Sequence, residues 1–302
     1  MAKIKKILIT GCGGMLGSAI YPCLTNKGYD VFATDIDLND NWLQHLDVRD
    51  INEAREVANR FKPDIILHLA ALTSLEYCES NLRDAYETNF LGTKNMAIIA
   101  KELDVPLVYV STAGVFDGKK ERYYETDCPN SINVYGKTKF YGEIFIESHL
   151  TKYFIVRAGW MVGGGKKDKK FVSYILAQIK EGKRNFEIVN DTFGTLTYTK
   201  DFAKNLEILF NTEFYGRYHM ACKGDTDRVK VARFILDTLN INDATIKEVS
   251  SDFFKEKFWV KRAQVERMVN ANLEARGINL MRTWQEALQD YLNDEWSGMI
   301  IK

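Results

Sequence analysis

Lys6-Ile7-Leu8-Ile9-Thr10-Gly11-Cys12-Gly13-Gly14-Met15-Leu16-Gly17 is the stretch that decides the fold of this 302-residue chain. Lys6–Thr10 reads as a strand. Its centre is continuously apolar, as in strands buried on both faces. Met15–Lys27 reads as a helix opened by glycines. Gly11, Gly14 and Gly17 between them give the spacing G-x-x-G-x-x-G. A side chain at Gly11 would obstruct the tight turn. One at Gly14 would hold the backbone away from a pyrophosphate, and one at Gly17 would push helix from strand. The helix N-terminus offers unpaired N–H groups and a positive dipole end to phosphates. Gly11, Gly14, Met15, Leu16 and Gly17 are therefore the expected phosphate cradle of a bound dinucleotide.

Outward from this turn, short apolar runs alternate with amphipathic segments. Strands are expected at Asp30–Asp35, Ile65–Ala70, Leu107–Ser111 and Tyr153–Arg157. Helices are expected at Ile51–Phe61, Asp84–Leu103 and Tyr135–His149. Such alternation implies parallel βαβ units. The fold class is α/β, a Rossmann-type doubly wound parallel sheet with a smaller C-terminal substrate lobe. Residues 1–160 make the dinucleotide-binding domain, with 190–221 returning to it. Residues 161–189 and 222–302 make the smaller lobe. Thr199–Phe210 reads as a helix and Gly216–Ala221 as a further strand. The remainder is mostly helical in pattern and ends in an amphipathic helix near Trp284–Leu292.

Asp35 closes the second strand, 18 residues beyond Gly17. A carboxylate there can accept hydrogen bonds from the adenosine ribose hydroxyls and would repel a 2′-phosphate, which favours NAD over NADP. Asp37 competes for this role, but its position beyond the strand end reads as a solvated loop. Asp47 and Val48 follow a short apolar segment and are expected to border the adenine.

Of 15 tyrosines, only Tyr135 has a lysine four residues later, at Lys139. On a helix, positions i and i+4 share a face, so both heads reach one pocket while Lys137 points elsewhere. A free phenol titrates near pH 10. A nearby ammonium stabilises the phenolate, which brings proton exchange toward neutrality, and the lysine can also hold the nicotinamide ribose. Ser111-Thr112 ends the preceding strand, and strand C-terminal ends face the ligand crevice. Thr112, with Ser111 as the alternative, can hydrogen-bond the reacting carbonyl oxygen. Thr112, Tyr135 and Lys139 form the expected catalytic set.

Composition narrows the function classes. Lysine plus arginine and aspartate plus glutamate number 41 each, so there is no basic surplus to suggest a nucleic-acid partner. The five cysteines form no C-x-x-C pair and the four histidines are scattered, so no metal site is expected. Reduced thiols and the absence of a roughly 20-residue apolar span point to a cytoplasmic protein without a membrane partner.

At this point the residues resemble the extended short-chain dehydrogenase/reductase family, and within it the dTDP-4-dehydrorhamnose reductase group. The resemblance rests on Thr10-Gly11-x-x-Gly14-x-x-Gly17, Asp47-Val48, Ala70-Ala71, Ser111-Thr112, Val115-Phe116-Asp117-Gly118, Tyr135-x-x-x-Lys139, Arg157 with Trp160, Gly194 with Thr197-Tyr198, and Trp284-x-x-Ala287-Leu288. It implies a nicotinamide cofactor (NAD, with NADP possible), contacted also by Ala70 and Ala71. It implies a nucleotide-sugar substrate touched by Thr112, Ala113, Tyr135 and Trp160, and a homodimer, common in the family. The implied function is NAD(P)H-dependent reduction of a nucleotide-linked 4-keto sugar. Two alternatives stand beside it: a nucleotide-sugar epimerase, and a non-catalytic dinucleotide-binding regulatory subunit. One departure matters. The group carries Asp-Tyr after Ser-Thr, whereas this chain has Ala113-Gly114, which removes two polar contacts to the sugar. It also lacks the acid and base that family dehydratases place there. Three further features have plainer readings. The Lys166–Lys170 run is expected to be a solvated loop, with diphosphate attraction as the alternative. Asn89 is expected to fix helix geometry, and Trp160 to line the sugar pocket, with a place in the core as the alternative.

Overall fold

The computed structural model of the chain describes residues 4–300. Its strands are β1 (Lys6–Thr10), β2 (Asp30–Asp35), β3 (Gln44–His45), β4 (Ile65–His68), β5 (Leu107–Thr112), β6 (Tyr153–Ala158), β7 (Trp160–Val162), β8 (Asn185–Val189), β9 (Phe193–Gly194), β10 (Leu196–Tyr198), β11 (Gly216–His219), β12 (Thr226–Asp227), β13 (Thr245–Val249) and β14 (Val265–Glu266). The helices are α1 (Gly17–Thr25), α2 (Ile51–Phe61), α3 (Leu75–Ser80), α4 (Leu82–Ala85), α5 (Gly92–Glu102), α6 (Val134–His149), α7 (Phe171–Lys180), α8 (Thr199–Phe210), α9 (Arg228–Thr238), α10 (Ala271–Ala275) and α11 (Trp284–Ile300).

Seven strands form one parallel sheet in the order β11-β6-β5-β4-β1-β2-β3. The chain winds outward from β1 through β2 to β3, then returns to build the other half from β4. The order reverses between β1 and β4, and a ligand crevice opens outside the strand ends at such a reversal. Strand alternation assigns the two faces. Ile7 and Ile9 join a core with Leu16 just before α1, Ile20 from α1, and Phe202 and Leu206 from α8. Leu8 joins the opposite core with Val57, Met96 and Ile146 from α2, α5 and α6. Burial on both faces is why β1 has no polar residue at its centre.

The expected helix over Asp84–Leu103 begins earlier, at Leu82, and carries a π-helical turn at Tyr86–Leu91 between α4 and α5. Asn89 on this turn is buried, and π-turns often mark functional ground. Beyond β6 the architecture changes. Strand β8 pairs with β13, β9 lies between β12 and β14, and β7 pairs with β10. The expectation of a mostly helical C-terminal part is therefore corrected, because β12, β13 and β14 interrupt it. Those strands are two to five residues long, too short for a period of two to stand out from the helical pattern around them.

Candidate active site

The glycine turn is shaped by close approach. Gly11 has φ +70°, and a Cβ there would lie 2.3 Å from the Ala70 backbone nitrogen. A Cβ at Gly17 would lie 2.0 Å from the Cys12 carbonyl oxygen. Gly14 differs: it is exposed, and its Cβ would meet nothing nearer than 3.7 Å. No protein neighbour requires glycine there, so the open space suits a ligand backbone. Among the described residues, the amides of Met15 and Leu16 donate to no protein acceptor. An exposed glycine beside free amides at a helix start fits a dinucleotide pyrophosphate.

Asp35 reaches this turn as well. Its Oδ2 accepts the Gly13 amide at 2.8 Å, and its Oδ1 accepts the Asp37 amide at 3.1 Å. The carboxylate thus clasps the glycine loop, a role the sequence did not suggest. Asp37 is exposed. Asp47 lies beyond β3 with its carboxylate held by Arg49 at 2.6–3.0 Å, which keeps it well ionised. Val48 packs beneath Gly92, and its carbonyl accepts Asn95 at 2.9 Å. Ala70 and Ala71 follow β4 beside Gly11. Asn89 ties the next residue to the helix: its side chain exchanges bonds with both the amide and the carbonyl of Leu72, at 2.8 and 3.0 Å.

Helix α6 starts at Val134 because the Asn133 side chain caps the Gly136 amide at 2.9 Å. That start places Tyr135 and Lys139 in the first two turns, facing the end of β5. Deeper along the helix, Glu143 accepts two bonds from Arg157 on β6, at 2.9 and 2.5 Å, and one from Ser111 at 2.5 Å. Both charged side chains have no exposed surface. Ser111 is therefore committed to anchoring α6, and Thr112, on the opposite strand face, is the hydroxyl left for the crevice. The Gly114 amide donates to Thr112 Oγ1 at 3.0 Å, so the threonine proton stays free to donate elsewhere.

Burial pushes the Tyr135 phenol up to about 12, with the Thr112 hydroxyl acting in the opposite direction. Burial pulls Lys139 down to about 7, while Glu143 draws it upward. The Lys139 ammonium position is 4.2 Å over the Tyr109 ring. The sequence reading had the ammonium lowering the phenol. Burial dominates the phenol instead, and the charges that act on it are those of Cys78 and Glu266, which raise it further. Tyr135 is consequently a protonated phenol over the physiological range.

The small residues after Thr112 differ in placement. Ala113 is only 2% exposed and packs with Val115, Phe116 and Tyr123, so its side chain has no face on the crevice. Gly114 borders Tyr135: a Cβ there would be 3.6 Å from the Tyr135 ring. Across the crevice, Trp160 lies so flat on Gly194 that a Cβ at 194 would come within 2.5 Å of the indole. Trp160 Nε1 donates to Glu266 Oε2 at 2.6 Å. The Arg228 guanidinium sits 5.1 Å over Trp160 and 4.9 Å over Phe171, with no ion-pair partner among the described residues. Burial pulls it down to about 10, still a full cation at neutral pH. Arg262 pairs with Glu76 at 2.7 Å. Of the lysine run, Lys167 pairs with Asp40 and Lys170 Nζ lies 3.4 Å from Thr73. Sequence reasoning passed over Arg228, Arg262 and Glu266. They sit on distant segments with no motif spacing, and only the lobe's packing brings them to Trp160.

Comparison with known proteins agrees with this arrangement. The model of the RmlD substrate binding domain matches residues 5–296. A spore coat polysaccharide biosynthesis protein of Bacillus subtilis, SpsK, is 30% identical over 294 residues, covering 97% of this chain and 99% of its own. The crystal structure of a dTDP-4-dehydrorhamnose reductase from Clostridium acetobutylicum superposes with a TM-score of 0.87 at 31% identity, covering 95% of this chain and 98% of that one. A dTDP-4-dehydrorhamnose reductase from Bacillus anthracis, solved in complex with NADP, gives 0.87 at 30% identity, covering 96% and 99%. This chain belongs to the RmlD substrate-binding domain family, within the extended short-chain dehydrogenase/reductases.

Proposed function

We infer that the protein is a nicotinamide-dependent reductase of a nucleotide-linked 4-keto sugar. The observation that carries this reading is Thr112 at the end of β5 with Tyr135 against the same Gly114, Lys139 one turn further along α6 over Tyr109, and a glycine turn whose free amides suit a pyrophosphate. Gly14, Met15 and Leu16 would hold that pyrophosphate, with Ala70 and Ala71 along the same edge and Asp35 at the ribose. When bound, the nicotinamide supplies the hydride. Thr112 donates a hydrogen bond to the carbonyl oxygen and polarises it. Tyr135 gives its proton to the oxygen as negative charge develops. A phenol near 12 remains protonated until an alkoxide forms, so it is an acid matched to the reductive direction. Lys139 supplies a proton-bearing group behind the phenol and a donor for the ribose. Trp160 forms a wall for the sugar, and Arg228 offers an unpaired cation to the substrate's diphosphate. No helix among the described residues is long and apolar enough to cross a membrane.

The test follows NADH absorbance against a panel of dTDP-, UDP-, GDP- and CDP-linked 4-keto sugars. Stoichiometric oxidation of NADH supports the reductase. Interconversion of sugars with no net change in cofactor would identify an epimerase. Cofactor binding without either reaction would favour a regulatory subunit.

A further inference from the structure

Beyond Thr112, positions 113 and 114 add no polar side chain to the crevice. Ala113 is turned into the protein, and Gly114 presents only backbone beside Tyr135. A polar sugar bound there would lose hydrogen bonds it makes in water, which costs affinity unless another group replaces them.

The opposite wall carries such a group. Strand β14 pairs in parallel with β9, and the register sets Glu266 against Gly194, the glycine that lies under the Trp160 ring. Oε2 of Glu266 is occupied by the indole N–H at 2.6 Å. Oε1 has no hydrogen-bond partner among the described residues. Burial pushes the Glu266 carboxyl up, while the indole, Arg228 and Arg262 favour its charged form. Its charge is close enough to Tyr135 to raise the phenol. The carboxylate is thus held against the Trp160 ring by one oxygen, with the other free.

We propose that Glu266 recognises the sugar: Oε1 accepts a hydrogen bond from the hydroxyl adjacent to the reacting carbonyl, replacing from across the crevice the polar contact missing at positions 113 and 114. The proposal rests on the reductase reading for the placement of the carbonyl at Tyr135. It assigns the C3 hydroxyl of such a sugar to Glu266. A site built to bond a hydroxyl discriminates strongly against the analogue lacking it, because the buried acceptor is then left unpaired.

The test compares a nucleotide-linked 4-keto-6-deoxyhexose with its 3-deoxy counterpart, by kcat/KM with NADH and by calorimetric binding without cofactor. The wild-type protein should prefer the hydroxylated sugar by at least about tenfold in both measurements. Glu266→Gln keeps an acceptor for the Trp160 indole but turns the free acceptor into a donor; it should bring the preference to within about threefold. Glu266→Ala should do the same. If Glu266→Gln retains the wild-type preference while Glu266→Ala weakens both sugars equally, Glu266 only supports Trp160 and the proposal is overturned. Equal binding of the two sugars by the wild type also overturns it. Absence of NADH oxidation, with binding selectivity present and lost in Glu266→Gln, would count against the reductase and leave the assignment of Glu266 standing.

Discussion

Replacing Glu143 by glutamine tests how the catalytic helix is held. Glu143 and Arg157 are fully buried and share two hydrogen bonds, and Ser111 adds a third to the same carboxylate. Glutamine keeps the volume and removes the charge. Arg157 is then a buried cation without a counter-ion, and breaking a pair in this way costs about 3–5 kcal/mol. That is a large part of the 5–15 kcal/mol by which folded proteins usually exceed the unfolded state. The urea midpoint of Glu143→Gln should fall by about 1 M or more for an m-value near 3 kcal/mol/M. The double variant Glu143→Leu with Arg157→Met removes both charges and should recover most of the loss, because paired apolar replacements are often neutral. A second readout is functional. Burial pulls Lys139 down to about 7 even though Glu143 draws it upward. Without Glu143 the ammonium gives up its proton at lower pH, so any rate or affinity that needs the charged lysine should decline earlier as pH rises. The stability linkage has the opposite slope. Between about 7 and 10.5 the unfolded chain holds the Lys139 proton that the folded chain has released, so this residue makes stability rise with pH across that window. A stability change within about 1 kcal/mol for Glu143→Gln, or a double variant no more stable than the single one, would refute the account of the anchor.

Tyr135→Phe should lower turnover by roughly 10²–10⁴ while leaving NADH affinity nearly unchanged, as measured by calorimetry and steady-state rates; near-normal turnover would remove Tyr135 from the chemistry. Asp35 should make NADH bind more tightly than NADPH. Asp35→Asn retains an acceptor for the Gly13 amide and should narrow that gap, whereas Asp35→Ala should weaken both cofactors because the loop clasp is lost; equal or tighter NADPH binding by the wild type would show that Asp35 does not face the ribose. Across the panel of keto sugars, dTDP-4-dehydrorhamnose should be poorer than the best substrate by at least roughly tenfold in kcat/KM, about 1.4 kcal/mol; finding it the best would mean that Ala113 and Gly114 do not set the specificity.

The sequence by itself determined the parts of this protein in which local spacing and physical need coincide. A strand buried on both faces must be continuously apolar, a turn crossed by the Ala70 backbone must be glycine, and two heads meant for one pocket must lie four apart on a helix. Lys6–Gly17 and Tyr135–Lys139 were legible for those reasons, and with them the parallel sheet and a candidate catalytic set. Tertiary structure alone decided which hydroxyl of Ser111 and Thr112 is free, because the choice depends on Glu143 and Arg157, remote in sequence from both. It decided that Asp35 binds the glycine loop and that Ala113 turns inward. It also decided the state of the tyrosine and lysine, since desolvation depends on everything packed around a group, which spacing does not reveal. The wall of Trp160, Arg228 and Glu266 is assembled from three separate segments: strands of three and two residues, too short to carry a period, and the first residue of helix α9. Residues that meet only through packing leave no mark of their meeting in local sequence, so that side of the crevice belongs to the fold.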